Sequence, residues 1–345
     1  MTAAISDGEL GERLAARTLE LVDIPSESRG EEPLAAHVMQ VLHAGGVTLR
    51  DLGDTCVLAG PGSPVLLAGH LDTVPAQGNR PGRIDDERVH GLGASDMKGA
   101  VAVMLELALA GARFDCLFFG REELPAAESA LTPLLAREPL SPELVVMMEP
   151  TDNAVHAGCL GNINATWTFS GRAGHSARPW DGDNAIHKAA RGIARLAELE
   201  PEEHDFGGLK FYEVISATMI EGGIATNVVP DRATAQLNYR YAPGRSPEEA
   251  EARLAELTAG HGAIEVTSNS PSGPVPLGNP HAERLQQGLE VAPKQAWTPV
   301  AEFGRAGIDA INFGPGEPAQ AHRRDESVRI DALVRAYRVL EAFAA

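Results

Sequence analysis

The stretch PVLLAGHLDTVP (64–75) decides the fold, because an apolar run ends abruptly in the polar residues His70 and Asp72. An uninterrupted apolar run of this kind is typical of a strand that is buried on both faces of a parallel sheet. The alternation of such runs with a helical pattern predicts parallel strands joined by crossover helices, which is an α/β architecture. The segments that follow are the helical pattern MKGAVAVMLELALA (97–110) and the apolar runs DCLFFG (115–120) and ELVVMM (143–148).

Between residues 162 and 241 the pattern changes to alternation of apolar and polar residues, as in the series Ile163, Ala165, Trp167 and Phe169. Such alternation predicts strands that bury one face only. Helical patterns lie near 184–198 and 246–258. This block is therefore predicted to be α+β, with helices on one side of an antiparallel sheet.

The α/β pattern resumes after SNSPSGPVPLGNP (268–280), a linker rich in Pro, Gly and Ser. A chain of 345 residues also exceeds the usual size of a single core. We expect a discontinuous domain formed by residues 1–159 and 272–345, with a second domain, residues 160–271, inserted into it. The resumed pattern consists of a helix near 281–290, a strand at 308–314 and a helix near 326–343.

Charge and cysteine content exclude several classes of function. The formal net charge of −19 would repel a nucleic acid backbone. The sequence has no run of the roughly 20 apolar residues that a membrane span requires. The three cysteines are scattered without a C-x-x-C pair, which argues against a disulfide framework. We expect a cytoplasmic protein without nucleic acid or membrane partners.

Polar residues follow the apolar runs at the predicted strand ends. The carboxyl ends of parallel strands meet at one edge of a sheet, where ligands bind. Histidines together with carboxylates at such an edge suit Zn²⁺. The candidates are His70 and Asp72 in GHLDTVP, Asp96 in GLGASDMKGA, Glu122 and Glu123 in GREELP, Glu149 in MEPT and His322 in GPGEPAQAHRRDE.

Each candidate also has an ordinary structural interpretation. Asp96 could cap a helix, and His70 could be a satisfied histidine at a strand end. Glu122 and Glu123 could form a solvated turn, and His322 could lie in a surface loop. Unrelated solvated residues have no reason to follow successive strands at the same end, so the set as a whole favours a metal site.

Six motifs resemble those of the M20 family of metallopeptidases, which are dinuclear zinc amidohydrolases: GHLDTVP, GLGASDMKG, the Glu-Glu pair, MEPT, GHSARP and AHRRDE. The resemblance implies a zinc-exopeptidase-like catalytic domain with an inserted lid and dimerisation domain, and hence a homodimer. It also implies two Zn²⁺ ions, for which Co²⁺ or Mn²⁺ could substitute.

The resemblance also implies a role for each candidate ligand. His70 and Glu149 would bind one zinc ion, and Glu123 and His322 would bind the other. Asp96 would bridge the two ions, which would fix their spacing.

Three further roles are carried over from the same family. Asp72 would orient His70, and Glu122 would be the general base. His175 of GHSARP would stabilise the tetrahedral oxyanion in the partner subunit's site. The alternative for His175 is that it fills a strand-end turn after Gly171 and Gly174.

Candidate residues for a small anionic N-acyl amino-acid substrate lie in the inserted domain, with one further arginine, Arg305, outside it. In ATAQLNYRY (233–241), Arg240 points away from the apolar face, and Asn227 lies in GGIATNVVP. A guanidinium group binds a carboxylate bidentately. Arg178 and Arg305 are further candidates. The alternative is an ordinary solvated strand face.

Within the family, the segments 158–191 and 212–246 resemble succinyl-diaminopimelate desuccinylases of the actinobacterial type. This implies hydrolysis of N-succinyl-LL-2,6-diaminopimelate to succinate and LL-2,6-diaminopimelate, in lysine and diaminopimelate biosynthesis. The alternatives are an N-acetylornithine deacetylase, an aminoacylase or a dipeptidase of the same fold. A catalytically silent protein that binds a small ligand is the alternative from another class.

One segment departs from the desuccinylase pattern. Those enzymes usually have a substrate-binding arginine where this chain has Glu302, in TPVAEF (298–303). A carboxylate in a carboxylate-binding pocket would oppose the usual substrate, although Arg305 would compensate if the segment is helical. Gly314 and Gly316 keep the small residues that let a substrate approach backbone N–H groups.

Overall fold

The structure is a computed structural model that describes residues 5–125 and 128–344. The chain forms two compact units. The first contains the chain up to Ala157, the segment Val275–Ala292 and the chain from Thr298 onward. The second contains Gly158–Pro274 and Pro293–Trp297.

Helices and strands alternate in the first unit, whereas strands dominate the second. The helices, in chain order, are α1 (Asp7–Asp23), α2 (Glu32–Ala44), α3 (Gly99–Leu109), α4 (Leu131–Arg137), α5 (Ala185–Ala197), α6 (Pro247–Thr258), α7 (Pro280–Gln286), α8 (Val300–Arg305) and α9 (Ile330–Ala344). The strands are β1 (Leu49–Gly53), β2 (Cys56–Ala59), β3 (Val65–His70), β4 (Arg83–Ile84), β5 (Arg88–His90), β6 (Asp115–Phe119), β7 (Leu144–Met147), β8 (Val155–Ala157), β9 (Gly161–Ser170), β10 (Gly174–His175), β11 (Glu202–Phe206), β12 (Leu209–Gly222), β13 (Val228–Val229), β14 (Arg232–Tyr241), β15 (Ala263–Ser270), β16 (Val291–Pro293), β17 (Ala310–Asn312) and β18 (Ser327–Arg329).

The main sheet of the first unit has parallel central strands. Its order within the described residues is β1-β2-β6-β3-β7-β17-β8-β16. Strand β3 runs parallel to both β6 and β7, and His70 pairs with Phe119. The crossover helix α3 is buried along most of its length. The predicted α/β architecture is confirmed, and the carboxyl ends of the parallel strands meet at one edge.

The second unit is built around an antiparallel sheet whose order within the described residues is β11-β12-β14-β9-β15. Strand β9 pairs with β14 in a register that places Ala165 opposite Leu237. Side chains from one face of the sheet pack with residues of α5 and α6 in a single core. The predicted α+β block, with helices on one side, is confirmed.

The terminal helix begins later than the sequence pattern predicts. Residues Ser327–Arg329 pair with β5 instead of joining the helix, so α9 begins at Ile330. The small sheet β18-β5-β4 that results has no counterpart in the sequence prediction. Among the described residues, no helix is long and apolar enough to cross a membrane.

Candidate metal centre

His70 is held with one ring nitrogen available to a ligand. It is the last residue of β3 and is 1% exposed. Its Nδ1 lies 2.9 Å from the backbone carbonyl oxygen of Asp72. Because a carbonyl oxygen only accepts hydrogen bonds, Nδ1 carries the proton and Nε2 offers a lone pair. Nε2 lies 3.2 Å from Oδ1 of Asp96, a distance at which two electron-pair donors repel unless a proton or a cation lies between them.

Asp96 faces two histidines with its two carboxylate oxygens. It lies in the turn Ala94–Lys98, between β5 and α3. Its Oδ1 approaches His70, and its Oδ2 lies 3.6 Å from Nε2 of His322. The same His322 nitrogen lies 3.0 Å from Oε1 of Glu123. This arrangement suits a carboxylate that bridges two cations.

Two overlapping groups of potential ligand atoms share His70. In one group, atoms of His70, Asp96 and Glu123 lie within 4.8 Å of one another. In the other, atoms of His70, Glu122 and Glu149 do the same. The structure therefore brings all the ligand candidates of the sequence together in the first unit, with His322 joined to them through Asp96 and Glu123.

Asp72 holds the Glu122–Glu123 backbone, which is a different role from the one expected. Its carboxylate accepts hydrogen bonds from the backbone N–H groups of Glu122 at 2.9 Å and Glu123 at 3.1 Å, and from Ser28 Oγ at 2.7 Å. Its Oδ1 lies 3.7 Å from Nδ1 of His70, beyond hydrogen-bonding distance. His70 is instead oriented by the Asp72 main chain. An orienting role of the Asp72 carboxylate itself stays a prediction.

Glu326 is a positioning residue that the sequence analysis missed. Its buried carboxylate accepts hydrogen bonds from the backbone N–H groups of Gly93, Ser95 and Asp96, at 2.8 to 2.9 Å. Burial raises its pKa to about 7 although these hydrogen bonds oppose the rise. Its place at the end of the AHRRDE motif was the available signal. Glu326 fixes the turn that presents Asp96.

The carboxylates of the cluster repel one another. Burial and the neighbouring Glu149 carboxylate raise the pKa of Glu122 well above its ordinary value. The hydrogen bond with Glu123 raises the pKa of His322 to about 9. Burial alone would lower the pKa of His70, but the Asp96 hydrogen bond and the surrounding carboxylates raise it well above its usual range. Both histidines thus respond to an excess of negative charge.

The donor set fits a pair of divalent cations. Imidazole nitrogens and carboxylate oxygens are ligands for Zn²⁺, and Mn²⁺ or Co²⁺ accept similar sets. Several carboxylates confined with only two histidines need positive charge to compensate for their repulsion. His70 can offer Nε2 to a cation that displaces the proton from this nitrogen, because Nδ1 is held by the Asp72 carbonyl oxygen. The chemistry of these residues therefore fits a pair of divalent cations.

Sequence comparison connects this chain with known proteins. A protein of Mycobacterium tuberculosis with the provisional name succinyl-diaminopimelate desuccinylase DapE is 39% identical over 341 residues, covering 94% of this chain and 96% of that protein. The succinyl-diaminopimelate desuccinylase of Corynebacterium glutamicum is 34% identical over 349 residues, covering 94% of each chain. A family profile described as the peptidase dimerisation domain of M20 proteins matches residues 158–264. The chain belongs to the M20 family. The resemblance and the hydrolase class inferred from its motifs are confirmed.

Further relatives of this chain carry names that indicate other substrates. The N-acetyl-L-citrulline deacetylase of Xanthomonas campestris pv. campestris is 31% identical over 312 residues, covering 84% of each chain. Among solved structures, aminopeptidase PepT of Bacillus cereus has a TM-score of 0.78 at 18% identity, covering 96% of this chain and 97% of that one. The Bacillus subtilis YXEP protein, described as a dinuclear metal binding peptidase from the M20 family, has a TM-score of 0.68 at 16% identity, covering 97% of each chain. At these identities the structures show a shared fold.

In the second unit of this M20 chain, His175 is an exposed residue with a defined tautomer. It lies in β10, which pairs with β13. The backbone N–H of Ala177 donates a 3.1 Å hydrogen bond to Nδ1 of His175. The proton of a neutral ring therefore lies on Nε2, which can donate to a ligand. Asn227 is close to this turn, since its carbonyl oxygen accepts a hydrogen bond from the Ser176 N–H at 3.0 Å.

Two of the three arginines proposed for substrate binding, Arg178 and Arg305, are solvent-exposed. Arg178 lies just after β10, 4.0 Å from Asp181 Oδ2. Arg305 is the last residue of α8 in the first unit and is exposed. Within the part of the chain that the structure describes, neither makes a contact that assigns it a ligand. Arg240, by contrast, is half-buried on the polar face of the second unit's sheet.

The structure corrects the expectations for Glu302 and for the glycine loop. Glu302 is 6% exposed, and its carboxylate accepts hydrogen bonds from Thr132 and Ser129 at the start of α4. It does not present a bare carboxylate to a substrate. The N–H of Gly314 donates a 3.0 Å hydrogen bond to Thr151 Oγ1, so this N–H is not available to a substrate either. A Cβ at Gly316 would overlap the Ser95 carbonyl oxygen, so this glycine is required for packing.

Proposed function

We propose that the protein is a dinuclear zinc hydrolase of N-acyl amides, with N-succinyl-LL-2,6-diaminopimelate as its substrate. One observation carries this proposal: both oxygens of Asp96 face histidines, with Glu122, Glu123 and Glu149 grouped around them. Such a set has little use in a protein that only binds a small ligand. The names of the relatives at 39% and 34% identity support the succinyl substrate.

The proposed ligands divide into two groups. His70 and Glu149 would hold one cation, Glu123 and His322 the other, and Asp96 would contact both. When bound, the pair of cations supplies Lewis acidity that polarises the scissile carbonyl and makes water a stronger acid. Zinc is favoured by the mixed nitrogen and oxygen donors, and cobalt or manganese would fit the same set.

Glu122 is the proposed general base. Burial and the Glu149 carboxylate raise the pKa of Glu122, and a carboxylate with a raised pKa is a stronger base than an ordinary glutamate. Its carboxylate takes a proton from the water that attacks the amide carbonyl. It returns this proton to the nitrogen of the leaving amine as the C–N bond breaks. Asp72 keeps Glu122 in place through the backbone N–H hydrogen bond.

Residues of the second unit are proposed to recognise the substrate. The Nε2–H of His175 is a hydrogen-bond donor suited to an oxyanion. Arg240 offers a guanidinium group for a substrate carboxylate, and Asn227 contributes an amide. Arg178, Arg305, Gly314 and Gly316 are the weaker candidates, because their observed contacts do not suggest a ligand.

A substrate panel tests the proposal. The second candidate is an N-acetyl amino-acid deacetylase, which the Xanthomonas relative's name supports. Metal-free protein should be inactive and should recover turnover when Zn²⁺ is added. The expected result is release of succinate from N-succinyl-LL-2,6-diaminopimelate at a kcat/KM well above that for N-acetyl-ornithine or N-acetyl-citrulline. The reverse order of rates would assign a deacetylase instead.

We also propose a cytoplasmic homodimer that serves lysine and diaminopimelate biosynthesis. The cysteines Cys56, Cys116 and Cys159 are buried and form no disulfide within the described residues, which supports a reducing compartment. Beyond Glu213, β12 has no partner on its β11 side within the described residues. An open strand edge is a template for pairing with a second chain.

Apolar side chains near this edge support the same interface. Met219 and Ile220 on β12 are 59% and 55% exposed, and Ile224 is 88% exposed. Light scattering should give twice the chain mass for the wild type, and Ile220→Lys should shift the mass toward that of the monomer. The matched control is Ile84→Lys, which changes an exposed isoleucine of the first unit and should leave the dimer intact. A monomeric wild type would contradict the proposal.

A further inference from the structure

The polar face of the second unit's sheet carries a continuous row of hydrogen-bonding side chains. These side chains alternate with the core residues of β9 and β14, and each is partly exposed. Arg240 lies opposite Asn162, and Asn238 lies opposite Asn164. Arg240 is the one charged residue of the row. The row consists of Asn162, Asn164, Thr166, Gln236, Asn238 and Arg240.

Asn238 is fixed in a single amide orientation by its neighbours. Its Nδ2 donates to Asn162 Oδ1 at 2.7 Å and to Asn164 Oδ1 at 2.8 Å. Its Oδ1 accepts from Nε of Arg240 at 2.9 Å. A guanidinium group only donates, so the oxygen of Asn238 must face Arg240. Asn164 is held in turn, because its Nδ2 donates to Ser268 Oγ at 3.0 Å.

Arg240 is a cation with a free hydrogen-bonding edge. Within the described residues, its terminal nitrogens make no hydrogen bond or ion pair, whereas Arg245, five residues later, pairs with Glu213 at 2.9 Å. Burial lowers the pKa of Arg240, and no carboxylate offsets this effect. A partly buried charge without a counter-ion carries a desolvation cost, which an anionic ligand at the terminal nitrogens would offset.

We propose that Asn238 is a positioning residue that aims the Arg240 guanidinium group at a carboxylate, with Asn162 and Asn164 fixing Asn238. The proposal rests on the proposed recognition of a substrate carboxylate by Arg240. A neutral amide suits this role, because it orients Nε without neutralising the cation. An aspartate at position 238 would orient Arg240 equally well but would compete with the ligand for its charge.

Steady-state kinetics with the zinc-loaded enzyme and N-succinyl-LL-2,6-diaminopimelate tests this role. Arg240→Ala should raise KM about 100-fold, as expected for loss of a charged hydrogen-bonded pair. Asn238→Ala should raise KM about 10-fold with little change in kcat, and Asn238→Asp should raise it further. The double variant should be no worse than Arg240→Ala, because Asn238 acts through Arg240. Thr166→Val, which removes a hydrogen bond of the same row to Gln236, is the control and should leave KM unchanged.

A spectroscopic measurement does not depend on turnover. The Arg240 Nε–H resonance, assigned with Arg240→Ala, should be protected from exchange in the wild type and lose this protection in Asn238→Ala. Added succinate should shift this resonance in the wild type. An unchanged KM and unchanged protection in Asn238→Ala, with Arg240→Ala impaired, would overturn the positioning role alone. An Arg240→Ala variant with normal KM and no succinate shift in the wild type would overturn carboxylate recognition by Arg240 as well.

Discussion

The metal-ligand cluster of the first unit and the turn around His175 in the second differ in how firmly they are held. His70 and Glu149 are buried, and backbone hydrogen bonds position His70, Asp96 and Glu123. His175 and Asn227 are exposed in short turns. A fixed cluster suits groups that must keep a set geometry, whereas an exposed turn suits groups that gain their contacts when a ligand arrives. Changes in the first should therefore abolish chemistry, and changes in the second should weaken it by degrees.

Replacing the proposed base tests the fixed cluster most severely. Glu122→Gln keeps the size of the side chain and its backbone hydrogen bond to Asp72 but removes the proton acceptor. We expect kcat to fall by about 10³ to 10⁴, the range associated with a positioned general base. Metal analysis should still find the full complement of zinc, because the variant keeps all five proposed ligands. A variant with wild-type kcat would remove Glu122 from the mechanism.

Replacing His175 tests the exposed turn. His175→Ala should lower kcat by about 100-fold, which is typical for loss of one oxyanion donor, and it should leave metal content unchanged. His175→Asn keeps a donor group and should recover part of the loss. His187→Ala, at another exposed histidine of the second unit, is the control. Equal activities of the two alanine variants would show that His175 is an ordinary turn residue.

Weakening the support of Asp96 should have a smaller effect than removing the base. The two carboxylate oxygens of Glu326 accept hydrogen bonds from three backbone N–H groups, and Glu326→Gln keeps only one of these oxygens. We expect about a 10-fold loss of metal affinity, in the range seen when groups behind metal ligands are changed. The measurement is zinc competition with a chromogenic chelator. Asp325→Asn, which changes only an exposed ion pair with Arg323, should bind zinc as the wild type does; equal affinities for both variants would contradict the role of Glu326.

The residues that the sequence could and could not identify differ in a physical way. Candidates such as His70 and Glu149 follow apolar strands directly, and parallel pairing brings such positions together whatever the loops do. Glu326 acts as an acceptor of backbone N–H groups, and this role depends on the path of a distant turn. The direction of the Glu302 side chain depends on how α8 packs against α4. The motif that ends in Glu326 marks the residue but not its backbone partners, and nothing in the local sequence gives the direction of the Glu302 side chain, so both relationships emerge only in the folded chain.

The smallest effect on activity is expected at Glu302. The test here is whether its carboxylate contacts the substrate or the residues at the start of α4. Burial raises the pKa of Glu302 above the unfolded value of 4.5. Its protonated form is therefore stabilised by folding, and the wild type should lose stability as pH rises from 4.5 through the raised pKa. Glu302→Gln has no such proton, so its melting temperature should rise relative to the wild type between pH 4 and pH 8.

The pH dependence of this difference is diagnostic, because the fixed cost of burying the amide cancels between the two pH values. Metal-free protein should be used at both, so that metal loss at low pH does not contribute. The exposed Glu283 supplies a matched control, since Glu283→Gln should show no such trend. The KM of Glu302→Gln for N-succinyl-LL-2,6-diaminopimelate should stay within about twofold of the wild-type KM. The reason is that the hydroxyl groups of Ser129 and Thr132 already donate hydrogen bonds to the Glu302 carboxylate. A tenfold fall in KM would instead place the Glu302 charge against the substrate and restore the conflict that the sequence suggested.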